Sequence, residues 1–231
     1  MASMEPICGA AKIHSNGLLQ LTNTSRRQIG RAFYQHPIGF NTSSSTLPQH
    51  HSFSTHFVFA IVPEMTNLSW NGMAFVISPS MDFTHAVGTQ YLGLLNSSNN
   101  GLPFNHLLAI ELDTQMNPEF KDINDNHVGI DVNSLVSNVS ATVTYYSNME
   151  RINQSLQLLS GSPMHVWIEY DGFENVFNVT LAPITSPIPD QSLLFNTHKS
   201  FFNSVGFHVC WFLRFFRITF REPLCSWLEL Q

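Results

Sequence analysis

The chain has 231 residues, of which only 11% are charged, and its formal net charge is −6. This length fits one sizeable domain with a substantial core, and it leaves no room for a receptor domain joined to a kinase. The sequence contains no basic stripe, which excludes nucleic acid and anionic membranes as expected partners and favours a small neutral polar ligand.

Neither a signal peptide nor a membrane span is expected in this chain. Residues 1–17 contain no basic region followed by an apolar run, which a cleavable signal peptide requires. The apolar stretch 205–216 includes Arg214, and it falls short of the roughly 20 residues that cross a bilayer.

Strand-like runs recur along the chain between Gly, Pro, Asn and Ser, and no window shows a helical period with caps. The runs are 53–61, 73–77, 107–114, 141–146, 166–170 and 176–181. Most alternate apolar and polar residues, so each strand has one dry and one wet face. The pattern predicts an all-β fold, an antiparallel jelly-roll β-sandwich of two packed sheets.

Acidic and amide side chains are concentrated between Glu111 and His127. Glu111 and Asp113 are two residues apart in a predicted strand, so both project from one face. Two neighbouring carboxylates repel each other unless a cation, a shared proton or bulk water separates them. Carboxylates with an amide such as Asn117 suit calcium, and carboxylates with an imidazole suit a transition ion such as manganese. The segment therefore indicates a metal site.

The sequence contains seven Asn-Xaa-Ser/Thr acceptors for N-glycosylation, at Asn23, Asn41, Asn67, Asn96, Asn138, Asn153 and Asn178. We name Asn178, Asn138 and Asn67 as the candidates. Asn178 is the best of them, because the alternation in residues 176–181 places Asn178 and Thr180 on the solvent face. The acceptors matter only if the chain enters a secretory pathway.

Eight motifs occur in order between residues 11 and 194. They are 16–23 (NGLLQLTN), 30–38 (GRAFYQHPI), 53–59 (FSTHFVF), 72–79 (GMAFVISP), 90–93 (QYLG), 105–114 (NHLLAIELDT), 127–134 (HVGIDVNS) and 166–172 (VWIEYDG). Together they resemble the legume-type (L-type) lectins, in particular the lectin domains of plant lectin receptor kinases. The resemblance implies a lectin domain over residues 11–194 that binds carbohydrate.

The resemblance also implies a role for each residue of the metal site. By it, Glu111 and His127 would ligate Mn²⁺, Asp113 and Asp122 would bridge both ions, and Asn117 would bind Ca²⁺ together with the main-chain carbonyl of Gln115. Ser137 matches the residue that reaches manganese through a water molecule.

The sugar site departs from the family's pattern. Members hold a sugar with an Asp before Gly72, a main-chain amide before Tyr91, the calcium-bound Asn, an aromatic platform and a final loop. The corresponding residues here are Asn71, Gln90, Asn117 and Gln115, and the final loop is unreadable. An amide accepts fewer and weaker bonds from sugar hydroxyls than a carboxylate does, so we expect weaker recognition. Trp70 or Phe120 could replace the platform, although both are expected to be packing aromatics.

Both ends of the chain depart from the resemblance. Residues 1–10 do not resemble the family's first strand, and residues 195–231 form a divergent tail in place of its final strands. We therefore expect incomplete first and last strands and unpaired sheet edges. As a hypothesis, a one-base insertion or deletion or a mispredicted splice junction near His208 shifted the frame, since degenerate codons for residues 221–231 can encode a lectin-like strand in a shifted frame. The coding DNA decides this.

The leading function is calcium- and manganese-dependent carbohydrate binding without catalysis. One alternative is a degenerate lectin scaffold that acts as a non-sugar interaction module or is a nonfunctional fragment, which the changes at Asn71, Gln90 and Gln115 favour. A remote alternative is a jelly-roll glycoside hydrolase, but Met116 stands where its second carboxylate is needed. From the family we expect an extracellular or cell-surface location, and homodimers through the large sheet.

Overall fold

The computed structural model describes residues 4–23, 28–34, 52–63, 72–197, 208–214 and 229–230. Within these ranges the protein is built from β-strands, three short 3-10 helices and turns, and no residue in them belongs to an α-helix. The predicted all-β architecture is confirmed.

Sixteen strands lie in these ranges. In chain order they are β1 (Met4–Gly9), β2 (Lys12–Ile13), β3 (Leu19–Gln20), β4 (Ile29–Tyr34), β5 (Phe53–Phe59), β6 (Met73–Ser78), β7 (Leu108–Asp113), β8 (His127–Val132), β9 (Val139–Thr142), β10 (Thr144–Ser147), β11 (Ile152–Ser155), β12 (Met164–Asp171), β13 (Val176–Pro183), β14 (Leu194–Thr197), β15 (His208–Arg214) and β16 (Glu229–Leu230). The 3-10 helices are Pro103–Asn105, Pro118–Phe120 and Leu158–Ser160.

Two antiparallel sheets form the layers of the sandwich. The seven-stranded sheet has the order β1-β4-β15-β6-β7-β8-β9, and the five-stranded sheet has the order β14-β13-β12-β5-β16. Two small hairpins, β2-β3 and β10-β11, complete the described part. Strands that are neighbours in a sheet are often distant in the chain, as in a jelly roll.

The main core lies between the two sheets. In β5 the alternation places Phe53, Phe57 and Phe59 inside, at 2% exposure or less. The ring of Phe57 stacks on that of Phe75 in β6, with centroids 6.3 Å apart. Burying a side chain of this size stabilises the fold by about 1.5–3 kcal/mol, so contacts of this kind join the layers.

A second core covers the outer face of the seven-stranded sheet. All six residues of β6 are buried, because alternate side chains serve different cores. Met73, Phe75 and Ile77 pack between the sheets, whereas Ala74 and Val76 pack outward. Their outward partners include Phe83, Leu92, Leu94, Leu95, Leu107, Phe120 and Leu135 from the loops. The second core therefore fixes those loops on the sheet that carries the acidic cluster.

Both ends of the chain supply paired strands. β1 pairs with β4 from Met4↔Tyr34 to Gly9↔Gly30, with an irregularity between Met4 and Ile7. β15 lies between β4 and β6 and pairs with both, and β16 adds two residues beside β5. The expectation that loss of the first and last strands leaves unpaired sheet edges is therefore wrong for β1 and β15, because ladder hydrogen bonds require only an extended backbone and not the family's side chains.

The run 141–146 was expected to form one strand, but the structure divides it at Val143. β9 belongs to the seven-stranded sheet and β10 to a hairpin. Val143 N donates to the Asn126 carbonyl, and its own carbonyl accepts from Leu156 N. Its buried side chain joins the main core. These bonds lie where the chain passes from the seven-stranded sheet into the hairpin. A simple alternation of residues does not reveal this break.

Candidate metal centre and adjoining loops

The acidic cluster is built on the outer face of two neighbouring strands. In the β7–β8 register Asp113 lies opposite His127, Glu111 opposite Gly129, and Ala109 opposite Asp131. Alternate residues of a strand share a face, so these six positions face the same way. Ile110 and Leu112 point into the main core, as the sequence predicted.

Three ligand-type side chains converge there. One ligand atom from each of Glu111, Asp113 and His127 lies within 4.8 Å of the others, and all three residues are buried. The Nε2 atom of His127 is 3.3 Å from Glu111 Oε1 and 3.9 Å from Asp122 Oδ1. The two strands supply the imidazole and the carboxylates of Glu111 and Asp113, and the loop between them supplies Asp122.

The loop after β7 brings in the remaining predicted residues. Gln115 N donates to Asp113 Oδ1 at 2.7 Å, and Asn117 N donates to Asp122 Oδ2 at 2.6 Å. Asn117 Nδ2 donates to the Gln115 carbonyl oxygen at 3.2 Å. These bonds join the loop residues to Asp113, and the 3.9 Å approach of Asp122 to His127 brings them beside the pair of Glu111 and His127.

A main-chain carbonyl fixes the orientation of the His127 imidazole. Its Nδ1 lies 2.8 Å from the main-chain oxygen of Asn124, and a carbonyl only accepts, so Nδ1 carries a hydrogen and Nε2 faces the carboxylates. Burial alone would lower the pKa of His127, but the hydrogen bond to Glu111 and the charges of Glu111 and Asp113 raise it to about 9. Without a cation, a proton on Nε2 offsets part of the carboxylate charge, and a metal ion would displace it.

Asp131 is a member of the cluster that the sequence analysis missed. It is fully buried, and its Oδ2 atom has no hydrogen-bond partner. Ser137 Oγ lies 2.6 Å from Glu111 Oε1 and 2.7 Å from Asp131 Oδ1, but one hydroxyl has one hydrogen to donate. The available signal was a carboxylate in an apolar strand, four residues after His127 and on the same face.

The carboxylates have too few donors to be stable as charged groups on their own. Burial, followed by repulsion from Glu111, raises the pKa of both Asp113 and Asp131 well above the ordinary value. Burial also raises the pKa of Asp122. Carboxylate, amide and carbonyl oxygens with one imidazole nitrogen are the ligands that Ca²⁺ and first-row transition ions take. The residues present therefore fit a metal centre.

Two glycines allow the chain to approach the cluster closely. A Cβ on Gly129 would overlap Ser137 Oγ and the Glu111 carboxylate. Gly72 has φ +93° and packs against the backbone of Leu112 and Asp113, where a Cβ would overlap the Leu112 carbonyl. Both positions exclude any larger residue.

Of the predicted sugar-site residues, Gln90 and Asn117 lie in loops that touch each other, and Asn71 lies outside the described residues. Gln90 is half-buried in a turn. The ring of its neighbour Tyr91 lies edge-on to Phe120, with centroids 5.2 Å apart, and Phe120 N donates to the Asn117 carbonyl. Phe120 is only 6% exposed, so it packs in the second core and offers no open platform. Trp70 also lies outside the described residues.

Arg31 of β4 ties the loop of Gln90 to the sheet. Its guanidinium donates to the carbonyl oxygens of Phe83 and Gly93, each at 3.2 Å. The same group lies 5.8 Å from the Phe83 ring centroid. This loop is therefore held at both its beginning and its end.

The glycosylation candidates differ in their exposure. Asn138 is exposed and Asn178 is half-buried, while Asn67 lies outside the described residues. Thr180, expected on the solvent face with Asn178, is only 8% exposed. The hairpin strand β10 contacts β13, the strand that carries Thr180.

The comparisons with known proteins agree with this architecture. The model of the Legume lectin domain family matches residues 3–207. The chain belongs to the legume lectin domain family. The match spans β1 to β14, so it includes the strands and loops that carry the acidic cluster.

The relatives in sequence are plant receptor kinases. The L-type lectin-domain containing receptor kinase I.8 of Arabidopsis thaliana is 50% identical over 186 residues, which are 80% of this chain and 27% of that protein. Receptor kinase I.3 of the same organism is 49% identical over 189 residues, 81% of this chain and 27% of that protein. The chain thus spans about a quarter of the length of these curated relatives.

Solved legume lectin structures share the fold. Lectin I-B4 of Griffonia simplicifolia, in a metal-free form, aligns with a TM-score of 0.74 and 25% identity over 96% of this chain and 91% of that one. Winged bean acidic lectin complexed with methyl-α-D-galactose aligns with a TM-score of 0.68 and 25% identity over 99% and 93%. Within the part of the chain that the structure describes, no helix has the length and apolarity to cross a membrane.

Proposed function

We propose that this lectin domain binds carbohydrate in a calcium- and manganese-dependent manner, without catalysis, at the loops that follow β7. The observation that supports it best is the buried convergence of Glu111, Asp113 and His127 beside the loop of Asn117. Burying this much negative charge is costly unless a cation compensates it. In this proposal a cation compensates the charge of the cluster, and the adjoining loop binds the sugar.

In this proposal Glu111 and His127 hold manganese, Asp113 and Asp122 bridge both ions, and Asn117 with the Gln115 carbonyl holds calcium. The bound ions supply fixed positive charge that orders the loops. The residues behind them support these roles: Asn124 fixes the imidazole, and Ser137 holds the Glu111 carboxylate. Such supporting contacts orient ligands and tune their affinity for a metal.

Asn117 connects the metal centre to the sugar. Its side chain is 5% exposed, and its Nδ2 donates to the Gln115 carbonyl. A cation that took both oxygens as ligands would replace this bond and release the Nδ2 donor for a sugar hydroxyl. With Asn71 in place of a carboxylate and Gln90 beside Tyr91, we propose that Asn71, Gln90 and Asn117 form the carbohydrate site and that it binds weakly.

Two features support binding without catalysis. Glu111 and Asp113 are 1% and 3% exposed, so their carboxylates are not presented to a glycosidic bond. Position 116, where a retaining hydrolase would need its second carboxylate, is Met116, which is 52% exposed. The glycoside hydrolase alternative therefore has neither an accessible nucleophile nor an acid.

The test is a two-stage titration of metal-depleted protein. Calorimetry with CaCl₂ and MnCl₂ measures metal affinity, and a glycan array with and without excess EDTA then measures sugar binding. Replacing Asp122→Asn should weaken metal binding by at least about tenfold, since supporting or ligating carboxylates carry effects of this size. Asp125→Asn, an exposed change of the same charge in the same loop, is the matched control. Glycan binding that persists unchanged in EDTA would refute the metal dependence.

A second candidate is a lectin scaffold that binds the metals but no sugar. The amides at Asn71, Gln90 and Gln115 favour it, because they replace the carboxylate, the small residue and the aromatic of the family pattern. Metal binding in calorimetry together with a silent glycan array distinguishes this candidate from the leading one.

We further propose that the domain works on the extracellular side of a membrane and forms homodimers. The relatives' names describe receptor kinases, and Asn138 offers an exposed glycosylation acceptor. β1 lies at the edge of the seven-stranded sheet, where a second copy could extend it. Mass spectrometry of secreted protein and sedimentation of the purified chain test these two statements.

A further inference from the structure

A second concave site lies at the other end of β7 from the metal cluster. It is a cavity of about 180 Å³ between the loops 78–86 and 94–107. Leu107, which lines it, immediately precedes β7, whereas Asp113 of the metal cluster ends that strand. At about 3.3 Å per residue, roughly 20 Å of strand separates Leu107 from Asp113, and roughly 13 Å separates it from Glu111.

The floor of the cavity is apolar and tightly packed. Phe83, Leu94, Leu95 and Leu107 are each at most 9% exposed, and they belong to the second core. A floor of this kind offers contact to the C–H face of a ring.

One wall is fixed by a series of side-chain turns. Ser80 N donates to Ser78 Oγ at 3.2 Å, and Asp82 N donates to Ser80 Oγ at 3.0 Å. Thr84 N then donates to Asp82 Oδ1 at 3.0 Å. Each turn satisfies a backbone donor locally, so the wall keeps its shape without a ligand.

The opposite wall is fixed by asparagines. Both hydrogens of the Asn105 amide are used, because Nδ2 donates to the carbonyl oxygens of Asn99 and Asn133 at 2.7 and 2.9 Å. Asn96 Nδ2 donates to the His85 carbonyl at 3.1 Å and so joins the two walls. The cavity is therefore preformed.

The lining offers acceptors in the Asp82 carboxylate and Asn105, and donors in the hydroxyls of Ser78 and Ser80, whose oxygens accept from backbone amides. Asp82 is exposed, and a carboxylate has about four acceptor sites, of which Thr84 uses only part. Asn105 has its Oδ1 atom left as an acceptor after both amide hydrogens are used. The lining side chains, all described, include this one carboxylate and no lysine or arginine. Such a lining disfavours phosphates and carboxylates and favours a ligand rich in hydroxyl donors.

We propose that this cavity binds a neutral, polyhydroxylated ring of monosaccharide size, without a metal ion. Its volume of about 180 Å³ has room for one sugar ring. Ring hydroxyls donate to Asp82 and Asn105 while the C–H face lies on Leu94 and Leu95. The domain would then hold two sugar rings at opposite ends of one strand, and only one of them would depend on metal.

The test uses the whole chain in excess EDTA, which silences the metal-dependent site. The probes are the methyl glycosides of α-D-galactose, α-D-glucose, α-D-mannose and α-L-fucose, together with cyclohexylamine as a ring-sized amine. Saturation-transfer NMR should show contact with at least one glycoside, whether or not the amine also binds beside Asp82. Titration of that glycoside gives its dissociation constant.

Two variants locate the binding in the cavity. Asp82→Asn keeps an acceptor for Thr84 N and should weaken binding by at least about tenfold, since it removes a charge-assisted bond. Ala86→Leu enlarges a side chain of the lining without removing a side-chain hydrogen bond and should weaken binding. Asp125→Asn, which removes the same charge near the metal cluster, should leave it unchanged.

Three results would overturn the proposal. They are no saturation transfer from any of the glycosides in EDTA, transfer from cyclohexylamine alone, and glycoside binding that both cavity variants leave intact. None of these bears on the metal-dependent site, whose binding is measured with calcium and manganese present. Thermal unfolding of each variant shows whether it is folded, so a loss of binding can be assigned to the cavity.

Discussion

The acidic cluster on β7 and the loops at the Leu107 end of that strand differ in how their polar groups are hydrogen-bonded. In the acidic cluster, which extends along the β7–β8 face from Asp113 to Asp131 opposite Ala109, buried carboxylates share an imidazole, one hydroxyl and a few backbone donors, and Asp131 Oδ2 has no partner. At the Leu107 end, serine and asparagine side chains satisfy the backbone within their own loops. The buried carboxylates of the cluster thus lack enough partners without a cation, whereas the loops at the Leu107 end satisfy their polar groups without a ligand. A strand can therefore carry one site that metal assembles and one that folding alone assembles.

The largest effect is expected from Gly129→Ala. The added Cβ would displace Ser137 Oγ or the Glu111 carboxylate, so overpacking and a lost hydrogen bond combine to about 3 kcal/mol of destabilisation. Chemical denaturation of the metal-depleted protein measures this loss. Metal affinity should fall with it.

The control for that change is Gly161→Ala. Gly161 has φ +72°, and a Cβ there meets nothing within 4 Å, so the cost is backbone strain of about 1 kcal/mol. Metal affinity should not change in this variant. Equal losses of stability at both glycines would contradict the close contact of Gly129 with Ser137 and Glu111.

Asp131→Asn should stabilise the metal-depleted protein at neutral pH. Burial raises the pKa of Asp131, so the folded state holds this proton more tightly than the unfolded state does. Stability from this group is therefore present below the unfolded pKa and is lost as pH rises towards the folded pKa. Asparagine does not titrate, and the expected gain at neutral pH is about 1–3 kcal/mol.

Denaturation of both proteins as a function of pH checks this prediction. The free energies of unfolding should converge at acid pH and diverge towards neutral pH. A metal-depleted wild type whose stability rises over that interval relative to the variant would contradict the burial of an unbalanced charge at Asp131.

The sequence predicted more of the acidic cluster than of the cavity. The ligand types and the period of two between Glu111 and Asp113 predict a shared face, and the motifs predict the set from Glu111 to His127. Asp131 was missed because its role depends on the β7–β8 register, which places it beside Ser137 and Glu111. The cavity was missed because Ser78, Asp82 and Asn105 meet only after the loops pack on the second core.

At the termini, the side-chain patterns predicted fewer strands than the structure contains. From the motifs we expected residues 1–10 and 195–231 to diverge from the family, yet β1, β15 and β16 pair in the sheets, and the family model matches residues 3–207. Backbone pairing tolerates many sequences, so a lost motif does not predict a lost strand.

The smallest effect is expected at the cavity end, from Ser80→Ala. The change removes one acceptor for Asp82 N in an exposed turn, which costs about 0.5–1 kcal/mol. Hydrogen exchange at the Asp82 amide should accelerate while metal affinity stays constant. A change in metal affinity here would mean that the two ends of β7 are coupled.

The central claim is that the buried cluster is a cation site, and an anomalous diffraction experiment tests it most directly. Crystals grown with manganese would be measured at the manganese absorption edge. We predict an anomalous peak in contact with Glu111, Asp113, Asp122 and His127. A map with no peak there, in crystals that hold the fold described above, would contradict the claim.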